Sequence, residues 1–226
     1  MIKKLQSLKK KKGFTLVELI VVIAIIGVLA AILVPTMLGY VTSSRVTSAN
    51  STAASIKNNV DSFLTACDTA GYGMLKGSAN NSQIAITVSA GTWTVANPTA
   101  GAFKNGSGKS WTGSGTGSAG ATKVGVTAPE SLLAIELADL FPEIDTASMV
   151  IYVEGGKTLA VAYSADTSAG LTVGTDCPAI TAGTAAAAGG WTAAASGETT
   201  FAWDNSTAGV SSTGFIVGTA PTVPLG

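Results

Sequence analysis

The chain contains no histidine. Imidazole acid–base chemistry, Ser–His and Cys–His nucleophile pairs, and histidine-ligated metal centres are therefore excluded. Charged residues make up only 12% of the 226 residues. No phosphate-loop signature occurs; the Gly/Ser text around residues 106–120 lacks the strand, lysine and helix that a phosphate cradle requires. Four carboxylates, Glu136, Asp139, Glu143 and Asp145, fall close together and could in principle serve glycoside chemistry. A solvated acidic face is the simpler reading. The chain is expected to be non-enzymatic, with no cofactor and no metal.

Basic residues are plentiful in one place only. Lys3, Lys4 and Lys9 through Lys12 precede Phe14; removing those six lysines from 13 basic residues leaves 7 against 13 acidic ones. The remainder is acidic by six charges, which disfavours direct nucleic-acid binding. A basic segment before an apolar one stays on the cytoplasmic side. The rest should face outward.

The apolar run from Leu19 to Val34 is uninterrupted, and Phe14 to Leu38 extends it. That is enough for a spanning helix. Glu18 stands inside it. A carboxylate at mid-helix costs about 2.5–3.5 kcal/mol on insertion scales, so a retained one is expected to have a partner and a task. A secretory signal peptide is the competing reading, with Ala30-Ala31 as a mimic of a cleavage site. Glu18, the length of the run and the continuing helical pattern all weigh against it. Beyond Pro35, Val46, Ala49, Ala53, Ile56, Val60, Phe63 and Cys67 draw one apolar stripe at spacings of three and four. The expected helix runs from Phe14 to about Ala70, about 85 Å at 1.5 Å per residue, and Gly71-Tyr72-Gly73 stops it. Gly27 and Pro35 lie inside, and a kink is expected at the proline.

Gly13-Phe14-Thr15-Leu16-Val17-Glu18-Leu19-Ile20, with its lysine leader and apolar sequel, resembles the processing and assembly motif of bacterial type IV prepilins and the related type II secretion pseudopilins. The resemblance covers Lys9 to about Pro35 closely and fades beyond Leu64. It implies cleavage by a prepilin peptidase between Gly13 and Phe14 and N-methylation of Phe14. It also implies pairing of Glu18 with the N-terminal amine of a neighbouring subunit. Gly27 and Pro35 then bracket a segment able to lose helical order within a filament. The implied partners are other copies of the chain in a helical homopolymer, the peptidase, an assembly platform with its ATPase, and the cytoplasmic membrane before assembly.

After residue 73 the text turns to short strands among small residues. Ile84–Val88 and Thr92–Val95 read as strands, and Asn105–Thr122 as a flexible Gly/Ser/Thr loop. Pro129 opens a helix through Leu140. Met149–Val153 and Thr158–Tyr163 flank Gly155-Gly156 as a hairpin, apolar on both faces and hence central. Phe201-Ala202-Trp203 and Gly214–Val217 are possible closing strands. Cys67 and Cys177, outside the cytosol, form either one disulfide, worth about 4–5 kcal/mol in the chain-entropy model, or two separate buried thiols; the disulfide is favoured. Trp111 and Trp191 lie in loop-like text, where partial burial competes with an exposed stacking role. Sequons occur at Asn50, Asn80, Asn105 and Asn205.

The expected fold is α+β: a long N-terminal helix, its amphipathic half packed on a mostly antiparallel C-terminal sheet. The expected divisions are 1–13 (cleaved leader), 14–38 (membrane and filament-core segment), 39–70 (amphipathic continuation) and 71–226 (β-rich head). The expected role is a structural pilin: a single-pass precursor with its N-terminus inside, later a surface filament for adhesion or motility. A secretion pseudopilin, a competence-type or minor pilin, and a tip adhesin are the alternatives.

Overall fold

One helix carries two chemistries. α1 (Leu16–Thr69, 54 residues) starts as a run of Leu, Ile and Val and continues as Ser, Thr, Asn and Ala with a single apolar stripe. The computed structural model describes residues 14–70, 82–96, 111, 113–154, 157–172, 177, 179–180, 190–191, 209–210 and 214–220. It divides into two compact units, one ending at Ser43 and one beginning at Ser44. In the first, every residue from Phe14 to Val41 is exposed, and α1 is the one described helix long and apolar enough to cross a membrane. In the second, Val46, Ala49, Ala53, Ile56, Val60, Leu64 and Cys67 are buried. The stripe follows the expected positions except near its end, where Leu64 replaces Phe63. Phe63 is half-buried and meets Trp111 edge-on, with ring centroids 6.1 Å apart.

The head is built on β1 (Ser82–Ser89), β2 (Thr92–Val95), β3 (Gly115–Gly117), β4 (Thr146–Glu154), β5 (Lys157–Ser164) and β8 (Gly218–Ala220). These form one antiparallel sheet in the order β3-β2-β1-β4-β5-β8. A separate parallel pair joins β6 (Ala179–Ile180) to β7 (Gly190–Trp191). β1 and β2 meet at Ala90 and Gly91, with φ of 49° and 70°. Positive φ at both central residues is the tight turn whose twist matches paired strands.

Both faces of the central hairpin are covered, which is why its text is apolar on both sides. Met149, Ile151, Val153, Val161 and Tyr163 share a cluster with the α1 stripe. Val150, Tyr152, Ala160 and Ala162 face the other way, with Leu171, Cys177 and Val217. The turn at 155–156 lies outside the described residues, as do Gly71–Gly73 and Phe201–Trp203. The last strand of the sheet sits just after the expected Gly214–Val217: Ile216 makes an isolated bridge to Val210, and the sheet closes at β8. Two polar ties fix strand backbone to α1. Thr219 N–H donates to Asn50 Oδ1 at 2.7 Å, and Thr158 N–H to Asp61 Oδ1 at 2.5 Å. The Asn50 sequon is thus engaged in the fold.

α2 (Pro129–Leu140) lies against β2 and β3. Leu133, Ile135 and Leu137 are buried, whereas Leu132 is half-buried and Leu140, at the helix end, is exposed. The expected flexible loop at 105–122 is corrected where it is described. Gly115 and Gly117 form an edge strand so close to α2 that an added Cβ would stand 2.2 Å from Ser131 N or 2.4 Å from Ile135 N. Small residues there serve close packing. Glu130, almost wholly buried, anchors the approach by accepting from Gly113 N–H at 2.9 Å.

The acidic face has its own clamp. Lys123 bridges Glu136 and Asp139, and Gly120 N–H donates to Asp139 Oδ1 at 2.8 Å. The Gly120 amide first, then Lys123, holds the Asp139 carboxyl below its ordinary 3.8. A lowered folded value makes the tie complete above the ordinary value and lost as pH falls through the lowered one. By NMR, the Gly120 amide should stay unchanged from pH 7 to about 4 and shift below that, and Asp139→Asn should remove the transition. A transition centred above the ordinary carboxylate value would contradict this.

Candidate functional site

The first turn of α1 carries the chemistry the sequence singled out. Thr15 is its N-cap: Glu18 N–H donates to Thr15 Oγ1 at 3.3 Å, while Thr15 N–H and Oγ1–H donate to Glu18 Oε2 at 2.9 and 2.7 Å. This reciprocal arrangement is a capping box, which satisfies two amides that a helix start leaves unpaired. Its signature, Thr-x-x-Glu before an apolar run, is in the text; the sequence reading assigned Glu18 to assembly and passed over Thr15. Both bonds from Thr15 fall on Oε2. Oε1 has no partner among the described residues, so one oxygen stays open to a further donor.

Glu18 is the only charge from Phe14 to Ser44. Around it Phe14, Leu16 and Val17 are 78%, 72% and 67% exposed. Where such an apolar sleeve is packed away from water, an open carboxylate oxygen favours a cationic donor, because a charge-assisted hydrogen bond strengthens as local dielectric falls. Gly13 lies outside the described residues. Gly27 and Pro35 lie within the continuous α1, and a Cβ at Gly27 would meet nothing within 4 Å.

The expected disulfide is not formed. Cys67 belongs to the cluster between α1 and the sheet, and Cys177 to the cluster on the sheet's opposite face, 3.5 Å from Tyr152 Oη. The sheet separates the two sulfurs, and both are buried thiols. Burial pushes the Cys67 thiol up to about 12, which makes it inert. Alkylation of the denatured, unreduced protein should therefore add two adducts per chain; protein that takes up none until a reductant is added would contradict the separation. Trp111 is also buried, at 5% exposure, so it cannot serve as a stacking platform. Trp93 is a core residue, tilted against Phe141. Among the described residues no cluster of acidic or sulfur side chains is arranged to hold a metal.

Residues 8–34 match the family described as the prokaryotic N-terminal methylation motif. The fimbrial protein of Pseudomonas aeruginosa is 46% identical over 57 residues, which are 25% of this chain and 37% of that protein. The type IV major alpha-pilin of Moraxella bovis is 48% identical over 54 residues, 24% of this chain and 34% of that one. Fimbrial protein Q of Moraxella bovis is 40% identical over 84 residues, 36% of this chain and 52% of its own. The matched stretch thus spans about a third to a half of these curated relatives. No solved structure matches the chain.

Proposed function

We propose that this chain, whose N-terminal segment is that of a type IV pilin, is a structural subunit of a type IV pilus. The observation that carries the reading is Glu18: a lone carboxylate with one oxygen open, four residues after Phe14, in the segment of α1 that is exposed on all sides. Hydrolysis of the Gly13–Phe14 peptide by a prepilin peptidase frees the Phe14 α-amine, which takes a methyl group from a sulfonium methyl donor with loss of one proton and stays cationic. The unassembled chain holds residues 14–38 in the cytoplasmic membrane, where acyl chains solvate them. An assembly platform and its ATPase move the chain into a filament. Lipid contacts are exchanged there for the same helix of other copies, so apolar burial is retained, and Glu18 Oε1 gains the amine of a neighbour.

The electrostatic contact fixes docking register more than it adds net stability. Gly27 and Pro35 mark a stretch where proline has already removed one backbone bond, so helix can be lost there under tension. The relatives named fimbrial protein and major pilin favour a surface fibre over a short secretion piston. The test is N-terminal sequencing of fibres sheared from cells and seen by electron microscopy. The first residue should be Phe14, one methyl group heavier than phenylalanine; fibres containing this chain but starting elsewhere would end the proposal.

A further inference from the structure

A half-open cavity of about 210 Å³ lies between α1 and the end of β5, lined by Arg45, Ser48, Thr52, Tyr163, Asp166 and Ile216. Thr52 Oγ1–H donates to Ser48 O at 3.2 Å, but several other polar groups of the lining have no partner among the described residues. Arg45 has neither an ion pair nor a hydrogen bond among the described residues. Tyr163 is 6% exposed, yet its hydroxyl has no hydrogen-bond partner among them. Burial, then the charges of Glu143 and Asp166, pushes that hydroxyl's titration up, so it stays a neutral donor. Asp166 accepts from Ile216 N–H through Oδ2 at 2.8 Å and keeps Oδ1 open. One small cavity therefore presents a cation and hydroxyl donors beside an anionic acceptor. A ligand carrying an anion and an N–H cation a few bonds apart satisfies all of them; a simple anion would face Asp166 unpaired.

Position narrows the source. The exposed stretch of α1 from Leu16 to Val41, uncharged but for Glu18, is about 39 Å long at 1.5 Å per residue, more than a hydrocarbon core of about 30 Å. Its end therefore reaches the polar layer, where Tyr40, 78% exposed, suits the aromatic belt. Arg45 follows Val41 by four residues, which can span no more than about 14 Å whatever the chain direction. We infer that the Arg45–Tyr163–Asp166 cavity binds a phosphoethanolamine group, a phosphate joined by a short linker to a primary ammonium, presented by phospholipid of the membrane holding the unassembled chain. Arg45 and the Ser48 and Tyr163 hydroxyls take the phosphate, and Asp166 Oδ1 takes the ammonium. The inference rests on the reading of residues 14–38 as membrane-spanning.

The test uses the full chain in detergent micelles, with retained lipid read by native mass spectrometry. Phosphatidylethanolamine should be retained about tenfold over phosphatidylglycerol, which lacks the cation, and over phosphatidylcholine, whose ammonium has no N–H to donate. Arg45→Ala, at an exposed site, and Asp166→Asn, which keeps an oxygen for Ile216 N–H, should each bring retention down to the phosphatidylglycerol level. Excess O-phosphoethanolamine should displace the lipid. Equal retention of the three lipids, or a preference untouched by both variants, overturns the inference. So does binding of O-phosphoethanolamine without lipid retention, which would assign the cavity to a soluble ligand. Retention is read on unassembled protein, so absent fibres with the lipid preference intact would count against the pilus reading alone.

Discussion

Replacing Glu18 with alanine is expected to abolish surface fibres while the precursor is still cleaved. The variant loses two things, and they can be separated. The capping box disappears, which loosens the first turn of α1. The open Oε1 also disappears, and with it the acceptor for a charge-assisted bond to a neighbouring amine. Glu18→Gln keeps an oxygen able to accept from Thr15 N–H but lacks the charge. If assembly depends on charge, it should fail as Glu18→Ala does; if helix capping is what matters, it should assemble. Fibre yield after shearing, set against the cleaved chain remaining in the membrane fraction, reads both. Normal piliation in Glu18→Ala would remove Glu18 from assembly altogether.

Adding one methyl group at Gly218 is expected to destabilise the head as much as truncating a core residue. A Cβ there would stand 2.1 Å from the Ala49 carbonyl carbon and 2.2 Å from its oxygen, and these are helix backbone that no side-chain rotation can move aside. Overpacking of this kind costs about 3 kcal/mol at its upper range, an unfolding midpoint about 6–12 °C lower for a domain of this size. Gly113→Ala is the control. Its Cβ would meet nothing within 4 Å, so it should stay within about 0.5 kcal/mol of the parent. Equal melting of Gly218→Ala and parent would mean that β8 does not lie against Ala49.

Periodicity was legible wherever burial alone decided structure. The α1 stripe, α2 from Pro129 to Leu140, β2 and the strands of the central hairpin could all be read, because apolar spacing reports directly which face meets a core. Residues 113–120 misled for a definable reason. Glycine in text reads as freedom, whereas Gly115 and Gly117 are small because a helix backbone occupies the space of their side chains. The cysteines misled in the same way. An even count suggests a pair, but only the fold puts a sheet between Cys67 and Cys177. Trp111 looked exposed in Gly/Ser text and is buried beside Phe63.

Local order along the chain was enough to establish the leader charge, the lone carboxylate, the change from an all-round apolar helix to a striped one, and the resemblance those features carry. These depend on neighbours within a few residues, where helix geometry is fixed in advance. Folding in three dimensions alone established that Thr219 and Thr158 are tied to α1, that the thiols lie apart, and that Arg45, Tyr163 and Asp166 share one cavity. Arg45 and Asp166 stand more than a hundred positions apart, and no rule of local spacing can say which distant residues the folded chain brings face to face.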